Sequence, residues 1–286
     1  MKKITLLAIL FVPIAILAQS GKVYDNLTMT SKILKMERKY AVYLPPDYDS
    51  DERRYPVLYL LHGAGDDQSG WIQLGEVKHI TDNAIEEGTS TPMIIIMPDA
   101  QTGTRGYHNR PEDNWNYEDF FIEEFIPYIE KTYRIRTEKR YRAIAGLSMG
   151  GGGTFLYALN HPELFDMACP LSASTGPVSL EDVDNQFDRR GRENATQKEK
   201  EDYFNRRSIL NKIQNNDIEE IKSVKWYIDC GDDDFLYEGN SLIHIAMRKR
   251  EIPHEFRIRD GGHGWHYWRT GLVDVLGFIS KRFHRF

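Results

Sequence analysis

The sequence predicts an α/β protein in which a mostly parallel sheet of about eight strands carries helices on both faces. Several apolar runs are nearly continuous, as in strands that are buried on both sides of a parallel sheet. Between them lie segments whose apolar residues recur at helical spacing. Strands that alternate with helices along a chain form mostly parallel sheets with helical layers on either side.

The predicted elements follow in chain order. Residues 27–34 and 38–44 alternate between apolar and polar positions and end at Pro45 and Pro46, which is typical of an antiparallel pair at a sheet edge. Further strands are expected at residues 57–61, 93–97, 141–145, 167–171, 224–229 and 255–259. Helices are expected at about residues 76–88, 117–132, 151–159, 240–250 and 267–282.

A long polar stretch at residues 178–222 interrupts this alternation. Charged stretches of this kind are usually solvated helices. Because this one lies between two sheet strands, a cap insertion that shapes a substrate groove is the alternative.

The composition is that of an ordinary globular protein. The 286 residues include 41% hydrophobic and 28% charged residues, which fits a single α/β domain over residues 19–286. The formal net charge of −6 and the scattered Lys and Arg residues provide no general attraction to nucleic acid or to anionic membranes. Nucleic acid is therefore not expected as a partner, and the oligomeric state is left open.

Residues 1–18 resemble a secretory signal peptide. Lys2 and Lys3 precede an apolar run over residues 6–17, and the small residues Ala15 and Ala18 follow the pattern of a cleavage site. The run is short for a membrane span, which needs about 20 residues. We expect a periplasmic or secreted protein that has no membrane attachment after cleavage.

The sequence contains two cysteines, Cys169 and Cys230, and both lie at strand-like apolar runs. A disulfide is possible in an exported protein. Two buried thiols are favoured, since free cysteine commonly behaves as a small core residue.

The most informative motif is Gly-Leu-Ser-Met-Gly at residues 146–150, between a predicted strand and a predicted helix. Flanking glycines allow a sharp, strained turn that presents the Ser148 hydroxyl above the sheet. The alternative is a glycine-rich turn that holds a serine by chance. A nucleophile in this position requires a base and an acid from later strands.

Acids and histidines follow two later strands, and the chain order is therefore Ser, Asp, His, as in the α/β-hydrolase fold. His263 lies between glycines just after a strand, whereas His266 is near the start of the last helix. We predict His263 as the base. Asp234 is the predicted acid and Asp233 the alternative, while the other acids of this region are expected to be solvated or to fix the turn.

A tetrahedral intermediate needs two N–H donors for its oxyanion. Met149 follows the nucleophile and is one predicted donor. The small residues of the Leu-His-Gly-Ala-Gly loop at 61–65 allow close backbone approach, and Ala64 is the second predicted donor, with Gly65 as the alternative. His62 is expected to brace this loop.

No metal or cofactor is predicted. The acids at residues 232–234 lack the spacing of a common calcium loop. Zinc motifs and the Lys-Ser/Thr pair of a phosphate loop are absent from the sequence.

Several motifs together resemble the esterase-D-like branch of the α/β hydrolases. They are the serine motif, the 61–65 loop, Ile-Pro-Tyr-Ile-Glu at 126–130 before Tyr133, Gly231-x-x-Asp234 and Gly-His-Gly-Trp at 262–265. The chain is most similar to carbohydrate esterase family one, which includes feruloyl and acetylxylan esterases, over about residues 36–282. The resemblance implies the same three catalytic residues and favours Asp234 through the Gly-x-x-Asp pattern. The same branch also resembles S-formylglutathione hydrolases and mycolyltransferases, so the resemblance leaves the acyl group open.

The expected function is a secreted serine esterase that forms an acyl-enzyme with feruloyl or acetyl esters of plant polysaccharide. A short-chain esterase, a thioesterase, an acyltransferase and a non-catalytic carbohydrate-binding protein are the alternatives. The residues expected to contact an acylated carbohydrate are Gly65, Trp71, Trp115 and Trp265, with Tyr107 and Tyr267 as further aromatic candidates. We expect about half of these aromatic residues to pack in the core instead.

Overall fold

The computed structural model describes residues 20–101, 105–189 and 191–284. The predicted signal peptide at residues 1–18 lies outside the described residues. Within the described ranges, no helix combines the length and the apolar character that a bilayer crossing requires.

The core of the structure is an eight-stranded sheet, and its mostly parallel arrangement confirms the predicted fold class. The strands of the chain are β1 (Lys22–Ser31), β2 (Met36–Leu44), β3 (Val57–Leu61), β4 (Ile94–Pro98), β5 (Asn109–Arg110), β6 (Trp115–Asn116), β7 (Arg142–Leu147), β8 (Met167–Leu171), β9 (Lys225–Gly231) and β10 (His254–Arg259). The order across the large sheet is β1-β2-β4-β3-β7-β8-β9-β10.

The two edges of the large sheet differ. Strand β2 pairs antiparallel with both β1 and β4, as the alternating pattern before Pro45 predicts for the first hairpin. The six strands from β4 to β10 in sheet order are parallel to one another. Their carboxyl ends therefore share one edge of the sheet, where residues after β7, β9 and β10 converge.

Helices cover both faces of the sheet. They are α1 (Gly70–Gln73), α2 (Val77–Glu86), α3 (Tyr117–Asp119), α4 (Ile126–Thr132), α5 (Met149–Asn160), α6 (Leu180–Asp188), α7 (Gln197–Arg207), α8 (Ile209–Asn215), α9 (Ile218–Lys222), α10 (Tyr237–Lys249) and α11 (Trp265–Phe283). Because side chains alternate along a strand, Leu58 and Leu60 pack towards α2 and α11, whereas Val57 and Tyr59 pack towards the layer that contains α5 and α10.

The helix predicted over residues 117–132 changes its type in the middle. A π-helical segment, Phe120–Phe125, connects α3 to α4. Pro127 lies in the first turn of α4 and has no N–H to donate to the preceding turn, so a regular α-helical ladder is interrupted there. Phe120, Phe121 and Phe125 remain buried against the sheet.

Residues 178–222 form four helices, α6 to α9. Capping boxes at Ser179 and Thr196 begin α6 and α7. Helix α7 has no buried residue, in keeping with the solvated helix expected there, while Ile209 and Ile213 of α8 are buried in the core. A cap function for this segment stays a prediction.

Two further features complete the fold. Strands β5 and β6 form a small antiparallel pair that the sequence did not predict, because each contains two residues.

Cys169 and Cys230 are free and buried, which confirms the expectation of two core thiols. Burial raises the pKa of the Cys230 thiol to about 12.

Candidate active site

Ser148 lies at the turn between β7 and α5 in a backbone conformation that residues other than glycine rarely adopt. Its φ is 53° and its ψ is −115°. Backbone hydrogen bonds hold this strained residue on both sides: its N–H donates to the Leu171 carbonyl at 2.9 Å, and its carbonyl accepts from Gly152 and Ser174. Such strain persists where the surroundings fix the backbone, and it occurs often at active sites.

The glycines that flank the serine are required by close backbone contacts. A Cβ atom on Gly146 would lie 2.6 Å from the Gly150 carbonyl oxygen. One on Gly150 would lie 2.6 Å from the carbonyl oxygens of Leu61 and His62. The serine turn and the end of β3 therefore approach each other as closely as their backbones allow.

Ser148, His263 and Asp234 form one hydrogen-bonded chain, as the sequence order predicts. The Nε2 atom of His263 lies 2.9 Å from the Ser148 Oγ, and Nδ1 lies 2.9 and 3.0 Å from the two Asp234 carboxylate oxygens. With the proton on Nδ1, the imidazole donates to the carboxylate and leaves Nε2 as acceptor for the serine hydroxyl. The arrangement is competent for nucleophilic attack assisted by a general base.

The carboxylate of Asp234 is buried and kept ionised by its donors. Burial alone would raise its pKa, but hydrogen bonds from His263, the Leu236 N–H and the Ser172 hydroxyl lower the pKa below the ordinary carboxyl value. The Leu236 N–H lies 2.8 Å from Oδ1. Ser172 in turn accepts a hydrogen bond from the indole N–H of Trp268 at 3.0 Å. No pattern in the sequence marks Ser172 as a partner of this carboxylate.

Two aromatic rings contact the His263 imidazole. The ring of Trp268 meets it edge-on, with centroids 4.9 Å apart. The Phe235 ring lies 4.5 Å away, and Phe235 is 72% exposed. An exposed aromatic ring beside the imidazole offers an apolar surface to an incoming ligand. The sequence contained a signal for Phe235, because it directly follows the predicted acid.

A buried ion pair lies below the loops that carry Asp234 and His263. Asp229 has no exposed surface, and its carboxylate accepts hydrogen bonds from Arg259 at 2.8 Å and from the hydroxyl groups of Tyr227 and Tyr267. This finding corrects the expectation that the other acids of the region are solvated or fix a turn. Through these hydrogen bonds Asp229, a residue of β9, connects this strand to β10 and α11 beneath the site.

The loop after β3 lies beside Ser148. A Cβ atom on Gly63 would be 3.6 Å from the Ser148 Cβ. Among the described residues, none accepts a hydrogen bond from the N–H of Ala64 or of Met149. These two predicted donors are therefore available to a ligand, although their role in binding an oxyanion stays a prediction.

His62 braces this loop, as expected from the sequence. Its Nδ1 donates to the Gly63 carbonyl at 2.8 Å, and its Nε2 accepts from the Ala100 N–H at 3.0 Å. Burial lowers the pKa of the His62 imidazole, so the neutral form that these two contacts require is favoured.

The structure corrects the expected substrate contacts of Trp71 and Trp115. Neither residue has exposed surface, and their indole N–H groups donate to the carbonyl oxygens of Leu61 and Gly106. Trp265 is partly exposed and packs edge-on against Trp71, with centroids 5.2 Å apart.

Of the other residues expected to contact substrate, one is exposed and two are buried. Gly65 is exposed, has a φ of +89° and faces open space, so its predicted contact with substrate stays a prediction. Tyr107 and Tyr267 are buried, and Tyr267 is bonded to Asp229.

Three exposed carboxylates lie close together near this site. One carboxylate oxygen from each of Asp232, Asp233 and Asp260 lies within 4.8 Å of the other two. Asp260 belongs to the next loop, so the spacing of residues 232–234 does not reveal it. Asp232 accepts a hydrogen bond from the Gly261 N–H, and in this way the cluster connects the two loops.

The family model described as "Putative esterase" matches residues 31–279. The chain belongs to this esterase family. The esterase is similar to a solved ferulic acid esterase, with 37% identity, a TM-score of 0.80, and coverage of 92% of this chain and 99% of that chain.

Two other proteins are also similar to this esterase. Over 143 residues it is 38% identical to an endo-1,4-beta-xylanase/feruloyl esterase of Xylanibacter ruminicola, an alignment that covers 47% of this chain but 19% of that protein. The S-formylglutathione hydrolase of Mus musculus is 25% identical over 285 residues, with 91% and 93% of the two chains covered. The chain thus belongs to an esterase family within the esterase-D-like α/β-hydrolase branch and resembles carbohydrate esterase family one.

Proposed function

We propose that this protein is an exported serine esterase that hydrolyses feruloyl or acetyl esters of plant polysaccharide through an acyl-enzyme. The observation that carries the proposal is the chain of hydrogen bonds from Asp234 through His263 to Ser148. Similarity to ferulic acid esterases supports the acyl group. The signal-like sequence at residues 1–18 supports export.

The first half of the reaction forms the acyl-enzyme. The Ser148 oxygen attacks the ester carbonyl while His263 Nε2 takes the hydroxyl proton. Asp234 stabilises the imidazolium that results, because its carboxylate is ionised and bonded to Nδ1. The N–H groups of Ala64 and Met149 donate to the oxyanion of the tetrahedral intermediate. His263 then protonates the departing alcohol.

The second half releases the acid. Water enters in place of the alcohol, His263 Nε2 takes its proton, and the hydroxide attacks the acyl carbon. Collapse of the second tetrahedral intermediate breaks the bond to Ser148 and returns the proton to its oxygen.

Phe235 and Trp265 supply the accessible aromatic surface for a phenolic acyl group or a sugar ring.

Hydrolysis of an ester panel tests this function. The panel contains methyl ferulate, acetylated xylan and a short-chain triglyceride, and the Ser148→Ala variant is measured beside the unaltered protein. We expect activity on at least one of the two plant-derived substrates and a loss of about 10⁴-fold or more in the variant. Activity on the triglyceride alone would exclude the polysaccharide substrates, and an active variant would exclude Ser148 as nucleophile.

A second candidate is hydrolysis of S-formylglutathione, favoured by the full-length similarity to the mouse enzyme. The same three residues serve for a thioester, since only the leaving atom differs. Direct comparison of S-formylglutathione with methyl ferulate by kcat/KM separates the two candidates. A higher value for the thioester would replace the polysaccharide substrates in this proposal. An added sugar acceptor in the same assay detects acyl transfer.

A further inference from the structure

The structure contains a cleft whose lining includes none of the residues described above around Ser148. It has a volume of about 410 Å³ and lies between the β5 region, the last turns of α5, helix α7 and the start of α8. Leu156 and Asn160 of α5 form part of its wall, and Tyr203 of α7 contributes an aromatic ring.

Positive charge dominates the lining of this cleft. Five cationic side chains and two carboxylates with described positions line it: Arg110, Arg192, Arg206, Arg207 and Lys212, with Asp113 and Glu118. The whole chain has a formal charge of −6, so this local excess of positive charge is opposite in sign to the rest of the protein. A concave surface lined by one sign of charge attracts ligands of the other sign.

The neighbouring carboxylates do not compensate this charge fully. Glu199, which lies outside the lining, is 3.6 Å from Arg192, and both side chains are about half exposed. Glu118 accepts hydrogen bonds at Oε1 from the Asn160 amide at 2.7 Å and from His161 Nε2 at 3.1 Å, so this oxygen is directed to those groups. Asp113 lies 3.9 Å from Arg110 and is about half exposed. At that distance and exposure, a surface ion pair is weak and screened by salt.

Two of the cations make their described hydrogen bonds to neutral groups. The Lys212 ammonium donates to the Asn160 side-chain oxygen at 2.9 Å. Lys212 is half-buried, and this burial lowers the pKa of its ammonium, although Glu118 opposes the effect. Arg206 Nε donates to the Asp202 carbonyl at 3.3 Å, and that contact leaves both terminal guanidinium nitrogens for other acceptors.

The cleft also contains a polar atom without a described partner. His108 lines the cleft, and its Nδ1 has neither exposed surface nor a hydrogen bond to any described residue. Burial together with the nearby Arg207 and Arg110 holds the pKa of this imidazole well below its ordinary value. A buried polar atom of this kind is usually satisfied by water or by a ligand.

We propose that this cationic cleft binds an oxyanionic group, either a carboxylate on a sugar or a phosphate. Guanidinium groups match the geometry of both groups, because each presents paired oxygens to the fork of N–H donors. The Lys212 ammonium adds a partly desolvated charge, and His108 adds a neutral polar group. The inference goes beyond the proposed function and does not rest on it, since its evidence is separate from Ser148.

Calorimetric titration of the full chain tests the proposal with two probes, sodium glucuronate and sodium phosphate, and glucose serves as the neutral control. We expect saturable binding of at least one anion, weaker binding as sodium chloride is raised, and no binding of glucose. Arg206→Gln and Lys212→Gln should each weaken the affinity roughly tenfold, since each removes a charged donor. Lys249→Gln, an equal loss of charge on the exposed end of α10, should leave the affinity unchanged.

The relative affinities identify the source of the oxyanion. Tighter binding of phosphate indicates a phosphorylated ligand, and tighter binding of glucuronate indicates an acidic sugar. Both outcomes uphold the site. Failure of both anions to bind the unaltered protein would overturn it, as would equal affinities for the Arg206, Lys212 and Lys249 variants. Ester hydrolysis is measured separately, so failure here is distinct from failure of the proposed esterase function.

Discussion

The indole N–H of Trp268 donates to the Ser172 hydroxyl at 3.0 Å, and that hydroxyl donates to the Asp234 carboxylate. A side chain of the last helix is thereby connected to the acid of the proposed catalytic residues. Ser172 is fully buried at the end of β8, and its N–H donates to the Asp229 carbonyl at 2.7 Å. These contacts fix one side of the carboxylate that orients His263.

Replacement of Ser172 by Ala tests this positioning role. The variant loses one hydrogen bond to an ionised carboxylate and leaves the Trp268 N–H without its partner, so kcat should fall about tenfold while KM changes little. Ser280→Ala is the matched control, because Ser280 is also buried and donates its hydroxyl within a region remote from His263. An equal decrease of kcat in both variants would mean that Ser172 acts only through stability.

The lowered pKa of Asp234 predicts a specific pH dependence of stability. A carboxyl group whose pKa is lower in the folded state stabilises the fold above its unfolded pKa of about 3.9. The contribution is lost as the pH falls through the folded pKa. The difference in unfolding free energy between the unaltered protein and Asp234→Asn should therefore shrink below about pH 4. Denaturant unfolding at several pH values measures this difference in unfolding free energy. A difference that grows as the pH falls would contradict a lowered pKa of Asp234 in the folded state.

Phe235→Ala tests whether the exposed ring contacts an aromatic acyl group. The free energy of unfolding should change by less than about 0.5 kcal/mol, because the side chain is 72% exposed. KM for methyl ferulate should rise roughly three- to tenfold, with little change for an aryl acetate whose acyl group cannot stack. Val273→Ala, another exposed apolar residue, is the control for surface effects. Unchanged KM for methyl ferulate would remove Phe235 from the acyl site.

Arg259→Met tests the buried ion pair beneath the loops that carry Asp234 and His263. Asp229 is fully buried, so removal of its cationic partner should lower the free energy of unfolding by about 3 kcal/mol. Arg257→Met on the same strand is the control. Its partner Glu255 is 44% exposed, and the expected loss is about 0.5 kcal/mol or less. Equal losses measured by denaturant unfolding would show that burial does not distinguish the two pairs.

The fold and the hydrogen-bonded site were largely predictable because both depend on local patterns. Continuous apolar runs such as residues 57–61 identify strands with two buried faces. Gly146 and Gly150 identify the serine turn, because larger residues would clash there. Once the parallel strands are known, their carboxyl ends must lie at one edge, which brings Asp234 and His263 towards Ser148.

The remaining features depend on contacts between distant residues. Trp71 is buried because the Leu61 carbonyl accepts its indole N–H, and a sequence does not show that a buried acceptor is present. Asp229 is buried because Arg259 and two tyrosines surround it. Ser172 is one serine among many until the fold places it against Asp234. Sequence periodicity indicates which residues are apolar, but it does not indicate which polar residues have buried partners.

Covalent labelling tests the central claim most directly. The full chain is treated with a fluorophosphonate probe, and the modified peptide is identified by mass spectrometry. We predict one adduct, on Ser148, that is abolished in Ser148→Ala and retained in Ser174→Ala, whose serine is exposed next to the same turn. An adduct on another residue, or undiminished labelling of Ser148→Ala, would contradict the assignment of Ser148 as the nucleophile.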